Sequence, residues 1–281
     1  MGGPGTSAAE LVTRVLTAAV LVVASVAALL WLPTPLVAAL LGIVVLLGAW
    51  EWSALAGPTG GTVRACYLVL TALLLAGMYE WIGAGAALPI ALPALAWWFL
   101  ATALVLRYQV AGRPPPGGLW WRLPAGWAIM LPAWATLVFL HRTHGPAGVF
   151  ALLVLIWVAD SAAYLFGRRY GRRRLASRVS PGKSWEGLLA AVAASALFAL
   201  SSAAWVAVPG SMRWHYALLA VGVVLLSVVG DLTESLFKRV AGVKDSGSLL
   251  PGHGGVLDRV DSLTAAAPAF LLGLHWLEGS A

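Results

Sequence analysis

Residues 34–54, TPLVAALLGIVVLLGAWEWSA, contain a single charged side chain, Glu51. The hydrocarbon core of a bilayer is about 30 Å thick and a helix rises about 1.5 Å per residue, so about 20 apolar residues cross it. The apolar run is continuous rather than alternating, which indicates a helix, because a helix satisfies its own backbone hydrogen bonds in lipid. This stretch therefore predicts a transmembrane helix.

Runs of the same kind recur along a chain of 281 residues that is 60% hydrophobic and 10% charged, with a mean hydropathy of +0.87. A soluble domain carries about 25% charged residues, so the composition excludes a water-soluble fold. We predict an all-α, polytopic helical bundle, a single membrane domain over residues 1–281. Its nine predicted spans are 12–31, 34–54, 67–84, 86–106, 125–141, 147–166, 186–208, 215–236 and 262–277.

Lysine and arginine residues predict the orientation of these spans. With nine spans, the N-terminus shares a side with the loops after the even-numbered spans, and that side holds 16 of the 18 lysines and arginines. Arg142 and Arg213 fall on the opposite side. Because cytoplasmic loops are enriched in Lys and Arg, we predict a cytoplasmic N-terminus. Most acids also fall at this side, so any active site is expected to face the cytoplasm.

The most informative polar stretch is 230–261, GDLTESLFKRVAGVKDSGSLLPGHGGVLDRVD. Asp231, Ser235 and Lys238 share one helix face, because residues three and four apart are neighbours on a helix. A carboxylate inside an apolar span costs about 2.5–3.5 kcal/mol, so it usually faces a partner or a watery cavity. Asp231 and Asp160, the latter within LLVLIWVADSAAYLF, are therefore candidate functional residues.

Asp258 and Asp261 open the ninth helix, just before its span at 262–277, and the intervening loop can bring them close to Asp231. Three carboxylates beside basic residues suit Mg²⁺, which binds one or two carboxylates together with water and phosphate oxygens. The glycine-rich loop with Lys244 offers backbone N–H groups and a cation to an anion. Alternatives remain open: Glu234 can simply pair with Lys238, and a lone histidine in a turn is more often structural. The residues alone predict an anion and metal site without naming a nucleotide.

The same stretch resembles the signature of the phosphatidate cytidylyltransferases. The matching positions are Ser235, Lys238, Arg239, Lys244, Asp245, His253, Gly254, Gly255, Asp258, Arg259 and Asp261. A second stretch, 180–187 (SPGKSWEG), is similar to the family's Ser-Pro-Lys-Lys-Thr-Trp-Glu-Gly, with Gly182 and Ser184 departing from it. Further matches are Trp157, Asp160, Ser161 and Tyr164, so the detailed resemblance covers 157–187 and 230–261.

The resemblance implies a nine-span, often dimeric enzyme of the bacterial plasma membrane that makes CDP-diacylglycerol and pyrophosphate from CTP and phosphatidic acid. It places the catalytic half at about 146–281, whereas 1–145 matches in hydropathy and at Glu51. Asp231 and Asp258 would ligate catalytic Mg²⁺ with help from Asp261, beside a monovalent cation such as K⁺. The implied catalytic residues are Asp231, Asp258, Asp261, Lys238 and Arg239. The implied substrate-binding residues are Ser235, Lys244, Asp245, His253, Gly254, Gly255, Arg259, Lys183 and Asp160.

Expected partners are CTP, phosphatidic acid, membrane lipids and a second copy of the chain, and no nucleic acid is expected. One alternative is a relative that uses another lipid acceptor, such as a CDP-archaeol synthase or a CTP-dependent polyprenol kinase. A transporter, in which Asp160 and Asp231 bind coupling ions, is a second alternative. Inverted repeats are typical of many transporters, and the sequence has no detectable repeat.

Overall fold

The computed structural model of the protein describes residues 23–57, 60–83, 88–203, 208–250 and 254–280. The predicted all-α class is confirmed, with one short hairpin added. The helices are α1 (23–31), α2 (Thr34–Ala56), α3 (Gly61–Gly83), α4 (Leu88–Ala111), α5 (Leu119–Tyr170), α6 (Trp185–Ser202), α7 (Arg213–Val240) and α8 (Leu257–Ser280). The antiparallel strands are β1 (Arg174–Ala176) and β2 (Ser180–Ser184), and a 3₁₀ turn covers Gly210–Met212.

Seven helices in the described part of the chain, α2 to α8, are long and apolar enough to cross a membrane. Each overlaps predicted spans, and α5 alone covers two of them, 125–141 and 147–166. The first predicted span, 12–31, lies mostly outside the described residues, and its described part is helical over 23–31.

Helix α5 is 52 residues long and has one non-helical residue, Gly145, with φ 64° and ψ −165°. His144, just before it, is 2.7 Å from Glu278 near the end of α8. Asp160, after it, shares a cavity with Asp258 at the start of α8. The second arm of α5 therefore runs antiparallel to α8, and Gly145 separates two arms of the helix.

The first arm of α5 runs antiparallel to α2. Arg122 donates from Nη1 to the carbonyl of Ala56 at the end of α2 (3.2 Å), whereas His141 lies 3.0 Å from Oγ1 of Thr34 at its start. The end of α2 lies beside the start of α8, where Glu51 accepts a hydrogen bond from the N–H of Leu257. The two arms of α5 thus run in opposite directions. We refer to the two ends of the bundle as the Asp258 end and the His141 end.

We predict that Gly145→Ala lowers the stability of the protein by about 1–3 kcal/mol, because only glycine readily adopts this combination of φ and ψ. The added Cβ meets no atom within 4 Å, so the strain is in the backbone alone. The measurement is the midpoint of thermal unfolding in detergent. Gly77→Ala, in the regular helix α3 and equally free of contacts, is the matched control. Equal midpoints for the two variants would contradict a role for Gly145 in the turn.

Tight packing of α7 on α8 positions the polar residues of both helices. A Cβ at Gly230 would lie 2.5 Å from the carbonyl oxygen of Asp261, so the helices approach closely there. Trp52 of α2 packs against Phe237 of α7, with ring centroids 4.7 Å apart. These contacts join the N-terminal helices to α7 and α8 at the Asp258 end.

The hairpin formed by β1 and β2 is attached to α4 and α7. Gln109 of α4 accepts a hydrogen bond from the N–H of Arg178 (2.9 Å) and donates to Oγ of Ser177 (3.1 Å). Arg239 of α7 donates from Nε to the carbonyl of Val179 (3.2 Å). The segment between α5 and α6 is therefore held at fixed points on α4 and α7.

Candidate active site

A cavity of about 630 Å³ opens between the second arm of α5, the hairpin, α6, α7 and α8. It lies at the Asp258 end of the bundle. Five of the predicted catalytic and substrate-binding residues line it, Asp160, Lys183, Asp231, Asp258 and Asp261, and Arg168 and Arg174 line it as well. Residues from four separate segments thus meet at one place, as the resemblance implies.

Asp231 and Lys183 form an ion pair on the wall of this cavity, with Lys183 Nζ 2.5 Å from Oδ2 of Asp231. The other oxygen, Oδ1, accepts a hydrogen bond from Oγ of Ser235 (3.3 Å), one helical turn away. Both side chains of the pair remain about a quarter exposed, so both are accessible to a ligand in the cavity.

Lys238 forms a second and more buried ion pair. Its Nζ is 2.6 Å from Oδ1 of Asp258 and 3.3 Å from Oε2 of Glu234. The ammonium group therefore joins α7 to α8 at the level of the cavity. The expected pairing of Glu234 with Lys238 is present, but Lys238 is closer to Asp258.

The second oxygen of Asp258 is held by the loop before α8. Oδ2 accepts hydrogen bonds from the N–H groups of Ser246 (3.0 Å) and Gly255 (2.9 Å), and Ser246 Oγ lies 3.1 Å away. Oδ2 is thus occupied by the loop. Oδ1 is the oxygen that Asp258 shares with Lys238, beside the cavity.

Glu234 and Asp261 lie side by side, where α7 and α8 are in close contact. Glu234 is 5% exposed, and apart from the ion pair with Lys238 its carboxylate oxygens have no hydrogen-bond donor among the described residues. Three acids, Glu234, Asp258 and Asp261, surround the single ammonium group of Lys238, whereas Asp160 and Asp231 lie on a cavity wall that also carries Lys183, Arg168 and Arg174. Buried charge of one sign is costly unless it is compensated, so the site favours an additional cation.

The hairpin and the start of α6 position Lys183. Ser184 caps α6 by accepting a hydrogen bond from the N–H of Gly187 (3.2 Å). Glu186 accepts hydrogen bonds from the N–H groups of Arg172 and Arg173 (3.1 and 3.3 Å), which hold the segment between α5 and β1 against the start of α6. The residues of the SWEG sequence therefore have structural contacts that place Lys183 in the cavity.

Other predicted site residues lie outside the described lining of the cavity. Arg239 is directed to the hairpin by its bond to Val179. Lys244, Asp245 and Arg259 are exposed, on the loop before α8 and on its first turn. Gly254 adopts φ +81° and Gly255 donates its N–H to Asp258, so both shape that loop. His253 falls outside the described residues.

Comparison with protein families matches residues 12–277 to the cytidylyltransferase family. The chain belongs to this family. A phosphatidate cytidylyltransferase of Pseudomonas aeruginosa is 46% identical over 269 residues, which cover 95% of this chain and 97% of the relative. A phosphatidate cytidylyltransferase of Haemophilus influenzae is 39% identical, with 92% and 96% covered. One of Brucella suis is 38% identical, with 72% and 81% covered. The resemblance noted in the sequence is confirmed.

The site of this cytidylyltransferase family member fits a divalent cation that is completed by substrate. Among the described residues, no three His, Cys, Asp or Glu side chains are grouped so that they could hold a metal ion by themselves. Mg²⁺ needs only one or two carboxylates when phosphate oxygens and water supply the remaining ligands. The Asp231, Asp258 and Asp261 set stays a prediction, and the three acids that surround Lys238 (Glu234, Asp258 and Asp261) support the need for further positive charge there.

Three residues of the site were not among the sequence-based assignments. Glu234 was weighed only as an ion-pair partner of Lys238, although it lies inside an apolar span. Ser246 carries no signal in the sequence, since serine in a loop is common. Glu51, alone among apolar residues of α2, was noted but given no role, because its partners are about 200 residues away.

Proposed function

We propose that the protein transfers CMP from CTP to phosphatidic acid, releasing pyrophosphate and forming CDP-diacylglycerol. The observation that carries this proposal is the 46% identity over 95% of the chain with a relative named for this reaction. The cavity supports it, because a single space is lined by acids, by Lys183 paired with Asp231 and by Arg168 and Arg174, together with an apolar wall. The apolar wall includes Ala159, Leu188, Ala191, Val224 and Val228.

A lipid phosphate and a nucleotide need both kinds of surface. The acyl chains can remain among the apolar helices while the head group reaches Lys183 and Asp231. The phosphate monoester of phosphatidic acid attacks the α-phosphorus of CTP in line, and the bond to the β,γ-pyrophosphate breaks. The attacking phosphate is already anionic at neutral pH, so positioning and charge neutralisation are the main tasks of the enzyme.

Mg²⁺, when bound, would polarise the α-phosphate and screen the repulsion between the two anionic substrates. We assign its ligation to Asp231 and Asp258, with Asp261 holding the centre, and include a monovalent cation such as K⁺ beside it. Lys183 and Lys238 are already within 2.6 Å of these carboxylates. Lys183 lines the cavity and is assigned to neutralise phosphate oxygens there, while Lys238 is assigned to hold the Asp258 carboxylate.

Further contacts with substrate are proposed for the remaining residues of the signature. Arg239 is assigned a catalytic role, and the substrate-binding residues are Ser235, Lys244, Asp245, His253, Gly254, Gly255, Arg259, Lys183 and Asp160. Exposed Lys244 and Arg259 lie on a loop and helix start that adjoin the cavity, where a triphosphate could reach them. Residues 146–281 form the catalytic half of a single membrane domain.

The proposed topology has nine spans in the inner membrane of a bacterium, with the N-terminus and the active site in the cytoplasm. The seven apolar helices correspond to eight of these spans when the two arms of α5 are counted separately. The helical residues 23–31 fall in the remaining predicted span, which supports the count. The excess of Lys and Arg at the Asp258 end supports the orientation. We also propose a homodimer, which mass measurement of the detergent-solubilised protein can test.

The test is pyrophosphate release by the purified protein in detergent–lipid micelles. We expect release that needs CTP, phosphatidic acid and Mg²⁺ together, with CDP-diacylglycerol as the lipid product. The matched reactions each omit one component or replace phosphatidic acid by a polyprenol or an archaeal ether-lipid phosphate. Release with one of these other acceptors, and none with phosphatidic acid, would overturn the proposal.

A further inference from the structure

Glu51 lies on α2, in the half of the chain that contains none of the predicted catalytic residues. Its side chain is nevertheless buried, 3% exposed, against the loop that leads into α8. Oε1 accepts a hydrogen bond from the N–H of Val256 (2.9 Å). Oε2 accepts from the N–H of Leu257 (2.9 Å) and from Oγ of Ser246 (3.0 Å). Both carboxylate oxygens are therefore fully engaged by this loop.

We infer that Glu51 is a positioning residue of the cytidylyltransferase reaction, which fixes the start of α8 and thereby the direction in which Asp258 presents Oδ1 to the cavity. The inference rests on the proposed function and on the proposed role of Asp258. The two N–H groups that Glu51 binds belong to the two residues immediately before Asp258. Any displacement of these residues moves the Asp258 side chain.

Ser246 provides a second connection between Glu51 and Asp258. Its Oγ lies 3.0 Å from Oε2 of Glu51 and 3.1 Å from Oδ2 of Asp258, and its N–H donates to the same Oδ2. The hydroxyl has one proton, so it donates to one carboxylate at a time, whereas the backbone N–H holds Asp258 continuously. The carboxylates of α2 and α8 are thus joined through one residue of the loop.

Two glycines allow the loop to approach the carboxylate. A Cβ at Gly247 would lie 2.6 Å from Oε1 of Glu51, and a Cβ at Gly255 would lie 2.5 Å from Oε2. Atoms at such distances overlap, so any larger residue at either position would push Glu51 or the loop away. The absence of a side chain at Gly247 and Gly255 therefore provides the space that the Glu51 carboxylate occupies.

The negative charge of Glu51 is also favoured by the N–H groups at the start of α8. The first N–H groups of a helix have no partner within the helix, and they favour a negative charge. Glutamine at position 51 cannot reproduce this arrangement, because each carboxylate oxygen accepts a backbone N–H. In either orientation, the amide NH₂ of glutamine would face a donor.

The test compares Glu51→Gln and Gly247→Ala with the wild-type protein. We expect kcat to fall by about 10²-fold in each variant, since a displacement of about 1 Å can have this effect, with the KM for CTP little changed. Hydrogen–deuterium exchange provides a readout that does not depend on turnover. The amides of 246 and 255–257 should exchange faster in both variants than in the wild type.

His141→Gln is the matched control for loss of a buried, hydrogen-bonded side chain. His141 bonds to Thr34 and to the carbonyl of Leu29 at the other end of α2, about 25 Å from Glu51 along the helix. Wild-type kcat in this control, at a similar thermal midpoint to Glu51→Gln, would separate positioning from stability. Unchanged kcat and exchange in Glu51→Gln would overturn the inference, as would an equal loss of kcat in His141→Gln. An inactive wild type would overturn the proposed function instead, and the exchange comparison would still test the contact.

Discussion

Asp231→Asn is expected to lower kcat for CMP transfer by about 10³-fold, the upper range for removal of one electrostatic contact to the reacting groups. Asparagine has the shape of aspartate but lacks the charge that would hold Mg²⁺ and that pairs with Lys183 at 2.5 Å. Because this pair is about a quarter exposed, its loss should have little effect on folding. The measurements are pyrophosphate release and the yield of monodisperse protein from membranes.

Glu80→Gln is the control for removal of an acid from an apolar helix. Glu80 is an exposed residue of α3, remote from the cavity, so this variant should have wild-type kcat. Wild-type turnover in Asp231→Asn would exclude Asp231 from the metal site. Loss of monodisperse protein would show instead that Asp231 serves the fold.

Lys238→Met is expected to affect both activity and stability. The Lys238 side chain is only 11% exposed, and its removal leaves Glu234 without a cation and Asp258 without its closest partner. Removal of one member of a buried pair typically costs about 3–5 kcal/mol. We therefore expect a lower thermal midpoint together with a loss of turnover of more than about 10²-fold.

Two further variants separate these effects. In the double variant Glu234→Gln with Lys238→Met, the uncompensated charge at position 234 is removed, so the thermal midpoint should partly recover while turnover does not. Lys183→Met removes a lysine from the more exposed pair, so turnover should fall with little change in the midpoint. Equal destabilisation by the two single lysine variants would contradict the difference in burial between the two pairs.

The positions of most helices were predictable because they depend on local composition. The run 34–54 is apolar enough to partition into lipid whatever surrounds it, and α2 covers Thr34–Ala56. The same holds for α6 to α8. The separate spans 125–141 and 147–166 were also predicted, since Gly145 and Pro146 interrupt the apolar pattern. The hairpin at 174–184 was missed, because its short strands are polar and depend on Gln109 and Arg239 for anchorage.

The candidate site was predictable in part. Asp231 and Asp160 could be identified because a carboxylate inside an apolar span is costly and usually faces a partner or a watery cavity. The meeting of Asp231 with Asp258 and Asp261 was expected from the length of the loop, and the structure brings all three to one cavity. The actual pairs, Lys183 with Asp231 and Lys238 with Asp258, could not be assigned. Lys183 is distant from Asp231 in the sequence, and Lys238 has Glu234 closer along the chain than Asp258.

The sequence by itself determined that this protein is a membrane helical bundle with a cluster of acids and bases near its C-terminus. Transfer of each segment into lipid depends on its own length and polarity, and the signature residues are visible without a structure. The tertiary structure alone decided which charges are paired and that Glu51 holds the start of α8. Those contacts join residues up to 206 positions apart, so they depend on how helices pack, which local composition does not specify.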